Sequence, residues 1–308
     1  MNRAIRLLRN RDFVFALALV LGVAAGGGSA WTRPLALPAL GAVMTLSCLA
    51  ITGRLYRSAR ETLIAAAAGV LLSFLVLGGF YAVASIGFRH DRDLWDGLIL
   101  LALAPPGVAV IPFTDSLGGD RHFSLLATAS GYLAALAITP LVGFAAWGTD
   151  LAAAGQVLSL LGQLILLPLF LSRVLLRTGL AARIAPMRGT LVNWSFFVVI
   201  YTIVGLNRSY LLESPRVIVP LLAVGVVSTF GVAALLRLGG RAAGLAGDRV
   251  TSAVLLGTLK NYGVAGGLAL TLFSPRAALP AVVVSTVMIA YVIWLGHSGR
   301  RAGAKGAS

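Results

Sequence analysis

Apolar runs of about 20 residues follow one another along the whole chain, separated by short polar stretches in which arginine recurs. A helix of that length crosses a bilayer core. The runs are continuous and rich in Leu and Ala, without the alternation of a membrane β-strand, so they predict helices. Ten spans are expected, near residues 13–30, 35–52, 62–84, 95–118, 123–146, 153–173, 190–206, 217–236, 250–273 and 277–296. The first, preceded by basic residues and ending in Gly28, Ser29 and Ala30, also has the outline of a cleaved signal peptide. Its length favours a retained span, because cleavage would leave an odd number.

Two of these spans break the pattern. The fourth contains APPGVAVIPFTDSLGGD (Ala104 to Asp120), with Pro105, Pro106 and Pro112. Proline removes a backbone donor and clashes with the preceding turn, so a straight helix is excluded there. The ninth contains GTLKNYGVAGGLALTLF (Gly257 to Phe273), in which Lys260 is the one full charge. A cation at that depth costs about 2.5–3.5 kcal/mol, which marks it as functional unless it snorkels from a displaced helix end. Asn261, Gly263, Gly266 and Gly267 are weak helix formers around it. Gly107 and Asn261 lie 154 residues apart, half the 308-residue chain. Ten spans taken as two sets of five require the second set to be inverted, because five is odd. Interrupted segments at corresponding positions of two repeats point to a transport site. The expected fold is therefore an all-α polytopic membrane protein of two inverted five-helix repeats, residues 1–152 and 153–308.

Composition narrows the class. With 58% hydrophobic and 11% charged residues and a mean hydropathy of +0.93, the chain excludes a soluble domain. Its net charge of +15 would suit nucleic acid, but the arginines punctuate loops instead of forming one face, so no nucleic-acid partner is expected. Eighteen basic residues fall on one side, from Arg3 to Arg11, Arg54 to Arg60, Arg121, Arg173 to Arg188, Arg237 to Arg249 and the C-terminal tail. Six fall on the other: Arg33, Arg89, Arg92, Arg208, Arg216 and Arg276. The positive-inside rule then puts both termini in the cytoplasm of a multi-pass protein of the inner (plasma) membrane. Trp31, Trp95 and Trp147 fall at outer span ends and Trp194 and Trp294 at inner ones, as an aromatic belt requires.

Enzymatic chemistry lacks its parts. The sequence holds no phosphate-binding loop and no HExxH pair, and His90, His122 and His297 lie in or beside loops. Cys48 is alone within its span. No enzyme activity, metal or cofactor is expected. The candidate binding residues surround the two breaks: Pro106 and Gly107 in one, Thr258, Lys260, Asn261 and Tyr262 in the other. Asp115 is the best available carboxylate partner for Lys260, unless it is solvated about two turns away at the interface. Thr114 and Ser116 share that position. Gln156, Gln163, Asn193 and Ser195 are expected to face the breaks from spans 6 and 7, and Gly26–Gly28 and Gly78–Gly79 to allow close helix packing.

The layout of ten spans, the Pro-Gly break in the fourth and the Asn-containing break in the ninth resemble the bile acid:sodium symporter family. The resemblance covers the whole chain in layout and is specific at those two breaks. It implies a panel of spans 1, 2, 6 and 7 and a core of spans 3–5 and 8–10, with spans 4 and 9 crossing near the midplane. It also implies secondary transport of an organic anion, often driven by sodium. The chain departs from the family where sodium would bind: an acidic residue and a following Gln are replaced by Leu256 and Lys260, and the family's Ser-Asn pair is replaced near Ile111 and Pro112. A sodium site needs oxygen ligands and negative charge. The expectation is therefore a small-organic-anion transporter in which Lys260 occupies the place of the cation or exchanges a proton, with a proton or sodium as coupling ion. A proton-coupled ion antiporter or a passive anion pathway on a similar inverted-repeat fold is the alternative.

Overall fold

The computed structural model describes residues 7–49, 58–107, 109–147, 159–160 and 162–305. Arg54, Arg57, Asp150 and Gln156 lie outside these residues. Within them the chain is helical throughout, with no strand. Helices α1 (Arg11–Ala24) and α2 (Ser29–Cys48) are followed by α3 (Ala59–Phe88), α4 (Arg92–Leu103), α5 (Val110–Leu117) and α6 (Arg121–Trp147). Then come α7 (Leu167–Arg177), α8 (Leu180–Leu206), α9 (Pro215–Ala242), α10 (Gly247–Thr258), α11 (Tyr262–Leu272) and α12 (Leu279–Lys305). Four of them, α3, α6, α8 and α9, are long and apolar enough to cross a membrane, and the bent pair α1–α2 would make a fifth.

Local chemistry sets the helix starts. Asn10, Ser58 and Asp91 each accept a hydrogen bond from the backbone N–H three residues on, which caps α1, α3 and α4. Ser58 with Glu61 has the sequence of a capping box. The first predicted boundary moves: the chain turns not near residues 30–35 but at Gly26–Gly28, a single 3₁₀ turn that bends α1 against α2 by 92°. Three consecutive glycines are poor helix formers, whereas Pro34 and Pro38 sit inside α2. Gly26 also packs directly against the backbone of Gly205.

Two groups of helices emerge from the packing. α8 lies along both α1 and α2, with α7 beside α2. In the second group α3 packs on α6, α9 on α10 and α12, and α11 on α4 and α12. Small residues let these helices approach closely. A Cβ placed on Gly69 of α3 would lie 2.1 Å from the carbonyl oxygen of Ala127 in α6. Polar ties close both ends of the second group. At one, Arg249 reaches the carboxylate of Asp120 at 3.2 Å. At the other, Arg276 pairs with Asp91, and the Ser274 hydroxyl donates to Asp93 at 2.7 Å.

Candidate functional site

The four short helices of the second group meet at one point. α4 ends at Leu103, because Pro105 and Pro106 cannot continue it, and α5 starts after Ala109. α10 ends at Thr258 and α11 starts at Tyr262, capped by the Asn261 side chain, which accepts from the Val264 N–H at 3.1 Å. Between the breaks the chain runs antiparallel for one bridge, Pro106 opposite Lys260. The Gly107 N–H donates to the Leu259 carbonyl at 2.8 Å, and the Asn261 N–H donates to the Pro105 carbonyl at 2.9 Å. These two bonds satisfy backbone groups that the broken helices leave without partners. Glycine is required at 107: a Cβ there would lie 2.9 Å from the Lys260 carbonyl oxygen.

Lys260 is 2% exposed. Its ammonium donates to the carbonyl oxygens of Ala104 at 2.7 Å and Ala102 at 2.9 Å, and sits 4.5 Å from the centroid of the Phe74 ring. The acceptors have a simple origin. Ala102 would ordinarily bond the N–H four residues on, which is Pro106 and has none. Ala104 is the C-cap of α4, where helix carbonyls are unpaired. Last-turn carbonyls carry the negative end of the helix dipole and the ring face is also negative, so both favour a cation. Phe74 belongs to a π-helical stretch of α3, Leu71–Gly78.

The carboxylate expected beside Lys260 is not there. Asp115 pairs instead with Arg121 at 3.5 Å, because α5 carries it away from the break towards the start of α6. Thr114 is fully buried and donates to the Val110 carbonyl and the Ser124 hydroxyl. Thr258 donates within α10 to the Val254 carbonyl. The Tyr262 hydroxyl donates to the Thr258 carbonyl and lies 3.2 Å from the Tyr81 hydroxyl. Pro106 packs against Gly131 of α6.

A cavity of about 420 Å³ separates the two helix groups at the crossing. Gly107, Ala109 and Ile111 from the first break and Lys260, Asn261, Tyr262 and Gly263 from the second line it on one side. Phe15 of α1, Leu46 of α2, and Val192, Asn193, Phe196, Ile200 and Ile203 of α8 line the other. Neither Ala102, Ala104 nor Phe74 belongs to the lining, so the ammonium points away from the cavity, behind the crossing. What faces the cavity is the start of α5 and of α11, the positive ends of two helix dipoles. Of the residues expected from spans 6 and 7, Asn193 lines this cavity, whereas Gln163 and Ser195 line a separate pocket among α2, α7 and α8.

The exposed residues of the cavity lining are Pro112, Asp115, Arg121, Arg188 and Gly189. Asn207, fully buried just after the last residue of α8, donates to the carbonyl oxygen of Pro275 at 2.7 Å and so ties the two groups together. Sequence reasoning missed Asn207, Phe74, Tyr81 and the two alanine carbonyls. Only the last had a signal, since Pro106 four residues after Ala102 announces an unpaired carbonyl. No family model matches the chain, and no curated protein matches it.

Proposed function

We propose that the chain is a secondary transporter of a small organic anion, built as ten spans in two inverted five-helix repeats like the bile acid:sodium symporter family, with Lys260 in the place of the coupling cation. The observation that carries the reading is the pair of backbone bonds at the crossing. Pro105 and Leu259 are 154 residues apart, and so are Gly107 and Asn261. Shifting the chain by that interval exchanges one bond for the other, as a two-fold axis between repeats requires. The π-helical stretches Leu71–Gly78 in α3 and Val227–Gly231 in α9 are separated by nearly the same interval. Taking α4–α5 and α10–α11 each as one broken span, and setting aside the six-residue helix Arg208–Glu213, the labelled helices α1 to α12 make ten units.

The division of charge supports anion transport. The starts of α5 and α11, with their positive dipole ends, face the cavity, and the end of α4, with its carbonyls, faces the ammonium behind it. In a sodium-coupled carrier a mobile cation supplies the charge behind the crossing, whereas here a covalently held one does. The ammonium has two carbonyl oxygens and an aromatic face as its partners there. Proteoliposomes given a pH gradient should accumulate labelled monocarboxylates equally in sodium, potassium or choline, and should not accumulate them without the gradient. Equilibration without accumulation would leave a passive anion pathway, and cation exchange for protons would make the protein an antiporter.

The reading also fixes topology. Reporter fusions after Arg57, Arg183 and Arg241 should behave as cytoplasmic, and those near Arg92, Asp150 and Arg276 as external. An external signal at Arg183 would overturn the two-times-five arrangement.

A further inference from the structure

We propose that the Asn207 amide and the Pro275 carbonyl form a latch that closes the cavity beyond the end of α8, and that its release exposes the cavity to the other side of the membrane. The inference rests on the transport reading above, because a latch serves only a cavity that must open to two sides in turn. Helix α8 shows where the cavity is closed. Its lining residues begin with Arg188 and Gly189, both exposed, and end with Ile203, which is 3% exposed. There α8 meets the second helix group. A Cβ placed on Gly266 of α11 would lie 2.8 Å from the Ile203 side chain and 3.4 Å from that of Ala281, a buried lining residue that α12 contributes. Asn207 follows Ile203 by about one turn and is fully buried.

The chemistry of Asn207 suits a contact that must break and re-form. Its side-chain nitrogen donates to the Ile203 carbonyl of its own helix at 2.9 Å and to the Pro275 carbonyl at 2.7 Å. Its side-chain oxygen is buried and has no hydrogen-bond partner among the described residues. The closed arrangement thus gains one bond between the helix groups and leaves one acceptor unsatisfied. These terms oppose each other and are comparable in size. Water that enters on opening satisfies both the oxygen and the freed amide hydrogen, so the latch holds the end shut without locking it. The backbone at both partners allows the parting. Asn207 is the first residue past α8, and Pro275 lies between α11 and α12, so the bond can break without unpacking any helix.

The test reads access to a reporter thiol in the full-length protein. Cys48, the one cysteine of the chain, is replaced by alanine, and Ala281→Cys places a thiol in the cavity lining beside Ile203. A charged methanethiosulfonate reagent is then applied to sealed right-side-out and inside-out membrane vesicles. With Asn207 intact the thiol should label mainly from the cytoplasmic face. Asn207→Asp sets a carboxylate against the Pro275 carbonyl, and should raise the rate from outside about tenfold while lowering the rate from inside. Asn207→Leu removes the donor and the unpaired oxygen together and favours burial, so it should label from outside no faster than the parent. An Asn207→Asp protein that labels at the parent's rates, or fast from both faces as a misfolded protein would, overturns the latch alone. So does an Asn207→Leu protein that labels like Asn207→Asp, because loosened packing and not the amide would then control access. Absence of anion uptake by the unsubstituted protein would overturn the transport reading, whatever the labelling shows.

Discussion

Replacing Lys260 with alanine is expected to reduce anion uptake to background, while the wild-type protein works equally well without sodium. The size of the effect follows from what the ammonium holds. Two charge-assisted hydrogen bonds, to Ala102 and Ala104, disappear together with the contact to the Phe74 ring. Bonds to charged groups contribute about 1.5–3 kcal/mol each, so the crossing loses roughly 3 kcal/mol or more, on the order of a hundredfold. The two carbonyls, buried in the core, are left without donors. Lys260→Met separates charge from volume: it fills the space, carries no charge, and should be as inactive as the alanine variant. Lys260→Arg keeps a charge that is never released, because guanidinium does not deprotonate in proteins. Wild-type uptake that varies with pH, set against a pH-independent arginine variant, would replace the fixed cation by proton exchange. Sodium-dependent uptake that survives Lys260→Ala unchanged would reduce Lys260 to a bystander.

The helical class and the positions of both breaks could be read from residues with strong local rules. Pro105 and Pro106 remove donors whatever surrounds them, and Asn261 is a strong N-cap. The partner of Lys260 could not be read, because sequence shows which residues are charged and not which way a helix carries them. Asp115 looked available, yet one and a half turns of α5 deliver it to Arg121. The acceptors that Lys260 does use are backbone atoms of alanines, which have no side-chain signature. Gln163 and Ser195 illustrate the same gap: both are polar and sit in apolar spans, but they line a different pocket from Asn193.

Gly69→Ala should be among the most damaging single added methyl groups in the second helix group. The new Cβ would lie 2.1 Å from the Ala127 carbonyl oxygen and 2.8 Å from the Ala127 Cα. Both are backbone atoms of a continuous helix, so no side chain can swing aside and α3 must separate from α6. Overpacking of this kind costs about 1–3 kcal/mol. Its reach is longer than its size, because the crossing leans on both helices. Gly131, one turn beyond Ala127, packs against Pro106, and Phe74, little more than one turn beyond Gly69, covers the Lys260 ammonium. Separation of α3 from α6 therefore loosens the ring over the cation and the support under the proline together. Gly79 in the same helix provides the comparison, since nothing lies within 4 Å of its added Cβ. Gly79→Ala should raise stability by up to about 1 kcal/mol through helix propensity alone. Thermal unfolding in detergent, measured beside uptake, should thus move in opposite directions for the two substitutions. Uptake should fall only for Gly69→Ala. A Gly69→Ala protein as stable and active as wild type would mean that α3 and α6 do not pack this closely, and the contact proposed to support the crossing would be lost with it.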